Sequence, residues 1–119
     1  MADTKIQNED IAKAINAFSQ NKFDEAETIC LDLLKKDDNA DANHIIGCLR
    51  MREKKFDESI EYLKKAIEKE PKLFTAYKNL GVAYSGIGDF KKSIEFYKKT
   101  IVLQKDINDN INSEIMFWE

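Results

Sequence analysis

His44, Cys30 and Cys48 are the residue types best suited to nucleophilic or metal chemistry in this sequence, and their spacing does not bring that chemistry together. His44 is the single histidine, so a two-histidine zinc motif cannot be built, and neither cysteine stands at a recognised metal-ligand distance from it. The cysteines are isolated among apolar residues on expected helices, where a free thiol behaves as a small hydrophobe. Gly81, Gly86 and Gly88 could suggest a phosphate-cradling loop, but no Gly-Lys-Ser/Thr ending follows and no strand precedes it; a helix crossing followed by a turn is the expectation. The acidic pairs Asp37-Asp38 and Asp57-Glu58 sit beside lysines near expected helix ends and read as solvated caps. Lysine pairs at 54/55, 64/65, 91/92 and 98/99 alternate with acidic residues and read as a solvated outer face. No catalytic residue, cofactor site or metal site is expected, and the chain is not read as an enzyme.

The elements that hold these residues follow from composition. A chain of 119 residues and 13.8 kDa suits one domain with one core. With 34% charged and 43% hydrophobic residues it is too apolar for a disordered tail and too polar for a membrane protein. Nineteen basic against twenty-two acidic side chains leave a net charge of −3, which disfavours a nucleic-acid partner. Residues 1–10 lack the basic-then-apolar order of a secretory signal, and no apolar run reaches the roughly 18 residues of a membrane span. A cytoplasmic protein with reduced thiols and no membrane partner is therefore expected. Four glycines and one proline favour long helices joined by short turns.

Self-similarity organises those helices. Lys54-Lys55-Phe56-Asp57-Glu58-Ser59-Ile60-Glu61-Tyr62 aligns with Gly88-Asp89-Phe90-Lys91-Lys92-Ser93-Ile94-Glu95-Phe96 at an offset of 34, and the stretch from Asn21 through Phe23 and Ala26 to Ile29 precedes the first by 33. Upstream, Asn43, Ile46, Gly47 and Arg50 match Tyr77, Leu80, Gly81 and Tyr84, one face of a helix. Ile11, Ala14, Ile15 and Phe18 give that face in the first unit if the turn before Phe23 is one residue shorter. The small residues Gly47, Gly81, Ala26, Ser59, Ser93 and Ala66 mark close helix crossings. Phe23, Phe56 and Phe90 are expected in the core, each contributing about 2–3 kcal/mol if fully buried. Asp24 with Glu27 suggests a capping box, Asp57 and Asp89 suggest further caps, and Pro71 suits the first turn of a helix. Helices are expected over 8–20, 24–36, 40–54, 57–69, 72–85 and 91–104. A last one over 107–118, striped by Ile107, Ile111, Ile115 and Trp118, would close the stack, although Met116-Phe117-Trp118 also leaves room for pairing with another molecule.

These repeats resemble the tetratricopeptide repeat family of 34-residue helix-turn-helix units. The third unit carries most of the pattern, with Tyr77, Leu80-Gly81, Tyr84, Gly88-Asp89-Phe90, Ser93, Tyr97 and Thr100; the second has Gly47, Phe56, Ser59, Leu63, Ala66 and Pro71, and the first Phe23 and Ala26. The resemblance implies an all-α fold, an α-solenoid of three antiparallel helix-turn-helix repeats (about 8–39, 40–73 and 74–106) plus a C-terminal capping helix (107–118), in a single domain. It also implies a concave groove lined by the first helix of each unit. Carried over by position, the groove residues are Asn16, Gln20, His44, Ile45, Cys48, Met51, Arg52, Lys78, Asn79 and Val82. Asparagines there can hydrogen-bond a peptide backbone, while Ile45, Met51 and Val82 can receive an apolar side chain. Members that bind chaperones clamp a peptide's C-terminal carboxylate with lysine, asparagine and arginine; the matching positions hold Ala12, Asn16, Ile45, Thr75 and Asn79, and only Asn16 agrees. The implied function is a module binding a protein or peptide, without this clamp. Two alternatives are a scaffold that homodimerises through the C-terminal helix, and the repeat portion of a larger enzyme.

Overall fold

In the computed structural model the backbone is described for residues 2–118 and the side chains for residues 8–111. Six helices follow one another: α1 (Ala2–Ser19), α2 (Phe23–Leu34), α3 (Ala40–Arg52), α4 (Phe56–Lys69), α5 (Phe74–Gly86) and α6 (Phe90–Trp118). No strand occurs among the described residues. Each helix packs on its neighbours in sequence, and α1, α3 and α5 also touch in series, so three antiparallel hairpins stack as a solenoid with the odd-numbered helices along one side.

Small residues set the closeness of each hairpin. A Cβ added at Gly47 would lie 2.7 Å from Leu63 Cγ, and one at Gly81 3.0 Å from the Tyr97 ring. At the same crossings Ser59 Oγ donates to the Gly47 carbonyl (2.8 Å) and Ser93 Oγ to the Gly81 carbonyl (2.7 Å), so the buried hydroxyls are satisfied. In the first hairpin the counterparts are Ala14 and Ala26, both fully buried. Two apolar clusters result. One joins the first and second hairpins through Ile11, Cys30, Leu33, Ile46 and Leu49; the other joins the second and third through Leu63, Ala66, Ala76, Leu80 and Tyr84.

The three hairpin turns are alike, which corrects the shortened first turn. Asn21, Lys54 and Gly88 all have positive φ (63°, 61° and 83°). The following amides close the same bond each time, Lys22 to the Ala17 carbonyl, Lys55 to Arg50 and Asp89 to Tyr84. The offset from first to second unit is therefore 33 along α1 as well as α2.

Other local expectations also shift. Helices α2 and α4 begin at Phe23 and Phe56, their preceding lysines make no side-chain cap, and Asp24 and Asp57 lie inside the first turn beside the helix N-terminus. Asp89 does cap, accepting from Lys92 N, and Asn39 caps α3 by accepting from Ala42 N. Pro71 lies in the turn that ends α4, ahead of α5 rather than in its first turn. Phe23 and Phe56 are half-buried, but Phe90 is exposed, because among the described residues no helix packs over it as α3 and α5 pack over α2 and α4.

The expected closing helix is not separate: residues 107–118 continue α6, a single helix of 29 residues. The reason is chemical. Pro71 interrupts the chain after α4, while its counterpart 34 residues on is Lys105, with glutamine and aspartate beside it and no breaker. Ile107 is half-buried and Ile111 exposed, and the side chains of Ile115, Met116, Phe117 and Trp118 lie outside the described residues.

Candidate functional site

One side of the stack is formed by the odd-numbered helices, where Ile15 is exposed, Ile45 is the edge of the first apolar cluster, and Phe18 and Leu73 pack against the two clusters. With an offset of 33 and then 34, Ile15, Cys48 and Val82 occupy equivalent positions on α1, α3 and α5. Ile15 is 50% exposed, Cys48 half-buried and Val82 37% exposed. Between α1, α3 and the start of α5 opens a hollow of ≈ 290 Å³. Ile15, Phe18, Ile45 and Leu73 give it apolar walls, and Asp41, His44, Cys48 and Thr75 complete them.

Its polar corner is a small network. Asn79 Nδ2 lies 2.9 Å from His44 Nε2 and 3.2 Å from Cys48 Sγ. An amide NH2 only donates, so His44 Nε2 accepts and the ring is the neutral tautomer with its proton on Nδ1. Burial agrees, since it pushes the His44 pKa below the ordinary 6.5, opposed by the smaller attraction of the Asp41 carboxylate. Burial also holds the Cys48 thiol up at about 11 and the Cys30 thiol at about 12, so both stay protonated near neutrality. Among the described residues no three His, Cys, Asp or Glu side chains converge as metal ligands. The corner presents hydrogen-bonding groups beside an apolar hollow, an arrangement for holding a side chain and its backbone.

The groove residues named from the sequence separate in the structure. His44, Ile45 and Cys48 line the hollow, Asn79 bonds to two of its walls, and Val82 and Lys78 stand exposed on α5. Asn16 and Gln20 do not join them. They bond to each other (3.3 Å) and border a separate hollow with Lys13, Lys22 and Glu25. In the corrected register Asn16 matches Leu49 and Ala83, both buried against the preceding hairpin, so Asn16 belongs to the open end of the stack. Met51 packs on the cluster between the second and third hairpins. The Arg52 guanidinium lies 3.8 Å from the centroid of the Phe23 ring, a cation–π contact away from the hollow. Ile15, Phe18 and Leu73 are walls absent from the sequence reading: the slipped register puts Ile15 and Phe18 on the core face, and Leu73 precedes the first turn of α5.

Comparison with known proteins places this architecture. Tetratricopeptide repeat family profiles match residues 40–72 and 76–110, together more than half of the chain. The chain belongs to the tetratricopeptide repeat family. It is 32% identical over 73 residues to the tetratricopeptide repeat-containing protein trd-1 of Caenorhabditis elegans; that stretch is 61% of this chain and 10% of trd-1. The chain thus spans about a tenth of that relative. Among solved structures it is similar to the second such domain of Spaghetti (RPAP3) bound to the Hsp90 peptide SRMEEVD (TM-score 0.74, 15% identity, 82% of this chain and 91% of that one). It is also similar to the TPR2B domain–Hsp70 complex of yeast Sti1 (TM-score 0.77, 17% identity, 94% and 90%) and to Thermobaculum terrenum O-GlcNAc transferase (TM-score 0.83, 20% identity, 89% and 21%). At these identities the likeness concerns the fold. Among the described residues no helix is long and apolar enough to cross a membrane.

Proposed function

We propose that the chain is a protein-interaction module, not a catalyst, and that its concave side holds a segment of a partner protein with one apolar side chain seated in the hollow between α1, α3 and α5. The observation that carries this is the pairing of apolar walls at Ile15, Phe18, Ile45 and Leu73 with the Asn79–His44 corner. The two chaperone-peptide complexes of the same fold support a peptide as the class of partner.

The partner's free C-terminus is not what this groove is suited to recognise. In the corrected register the clamp positions of the chaperone-binding members are Ile11, Ile15, Ile45, Thr75 and Asn79, and none carries a positive charge. An internal segment fits better, with affinity on the order of micromolar for a groove this short. The lone histidine engaged by Asn79 and the protonated thiols support the non-catalytic reading. The O-GlcNAc transferase likeness supports a second reading, in which such an array is part of a longer enzyme whose chemistry lies elsewhere.

Selection from a random peptide display library tests the proposal. The expected winners share an apolar residue, bind equally with free or amidated C-termini, and lose at least tenfold in affinity for Ile15→Asp and for Thr75→Trp, but not for Glu61→Gln on α4. Unchanged binding by both groove variants, or a strict need for a free carboxylate, contradicts it.

A further inference from the structure

The second and third hairpins are built alike, but among the described residues only the second is covered. At an offset of 34, Phe56, Ile60, Leu63 and Ile67 of α4 correspond to Phe90, Ile94, Tyr97 and Ile101 of α6. Under α5, Ile60 and Leu63 are 8% and 0% exposed, with Phe56 and Ile67 half-buried. On α6 the same row is 63%, 53%, 37% and 65% exposed. Its spacing of four, three and four residues keeps it on one line of the helix, about 16 Å long.

We propose that this row is the docking site for an acidic amphipathic helix of another protein. The internal precedent gives the shape of the occupant, because the same row on α4 accepts a helix. There the residue against Phe56 is Gly86, where a Cβ would lie 2.7 Å from the ring, so the incoming helix needs a small residue opposite Phe90. Charge gives its chemistry. Lys91, Lys98 and Lys105, seven residues apart and all exposed, run beside the apolar row, and among the described residues none forms an ion pair. Their counterparts are Asp57 and Lys64 on α4 and Pro71 in the turn after it, so the lysine row is particular to α6. Glu95, Val102 and Asp109 lie beyond the lysines, and Ser93 and Thr100 on the other edge are buried.

A second copy fits poorly. Antiparallel pairing of two α6 helices through this row would set lysine against lysine, Lys98 facing Lys98 with Lys91 facing Lys105 in one heptad register and Lys91 facing Lys98 in the next. Another molecule's α1, the helix at the other end of the described stack, carries Glu9, Lys13 and Asn16 where α5 has Ala76, Leu80 and Ala83, so it brings no apolar seam to this row. A helix with acidic residues along its flank satisfies both the apolar row and the lysines.

The probe is a synthetic 20-residue helical peptide with a leucine and alanine seam and glutamate flanks, titrated by fluorescence anisotropy into the full chain. A control peptide carries lysine in place of each glutamate. The acidic peptide should bind at least tenfold more tightly than the control. Ile94→Asp should abolish binding, and Lys91→Glu, Lys98→Glu and Lys105→Glu combined should reverse the preference. These positions are exposed, so circular dichroism should be unchanged, and Ile15→Asp in the groove should have no effect. Equal binding of the two peptides, no binding by either, retention in Ile94→Asp, or a dimer in sedimentation that Ile94→Asp dissociates would each overturn the proposal.

Discussion

Asn79 orients the polar corner of the groove: its amide hydrogens settle the His44 tautomer and hold the Cys48 thiol on the same wall. Protonating His44 would place a second donor against that amide and charge a ring that burial keeps neutral. Because the folded pKa lies below the unfolded 6.5, the unfolded chain takes up the proton first as pH falls, so stability is complete above 6.5 and is lost below it. The unfolding midpoint of the parent should therefore drop between about pH 7.5 and 5.5. His44→Gln should flatten that slope; an equal slope in parent and variant would assign the pH response to other groups. His44, Ile45, Cys48 and Asn79 were legible in the sequence because the offset of 34 between the second and third units is carried by Gly47/Gly81 and Phe56/Phe90. Ile15 was not, because in isolation it fits a core face as well as a groove face.

Elements explain why Ile15 and Phe18 were lost. The hairpin turns share a left-handed residue, and Asn21 is a type that tolerates this conformation, so aligning Asn21 with Lys54 and Gly88 was the available signal for the first register. Lysine gains nothing there: Lys54→Gly should stabilise the fold by about 0.5 kcal/mol, the relieved backbone strain exceeding the entropy cost of glycine. The opposite sign belongs to the helix crossing, where Gly47→Val would drive a side chain into Leu63 and cost about 2 kcal/mol. Urea unfolding of the two variants checks both signs. The continuity of α6 was legible too, in the absence of any proline or glycine from 89 to 118. The amphipathic stripe obscured it, since a stripe reports which face is apolar and not whether the helix breaks.

At the scale of the described residues the hairpins form an array in which each depends on its immediate neighbours. Each apolar cluster spans one junction, and Arg50 ties them by pairing with Glu27 on α2 and with Glu53 and Glu58 around α4. The hollow exists because α1, α3 and α5 are held side by side, so under the proposed function ligand recognition and stacking are coupled. The lysine-flanked face of α6 is separate from that hollow and lies on the last of the described helices. Methyl-detected NMR of the full chain, titrated with a peptide selected by display, tests the groove most directly. Shifts concentrated at Ile15, Ile45, Leu73 and Val82, with Ile94 and Ile101 unmoved, are the predicted result. Shifts confined to α2, α4 or α6 would contradict it.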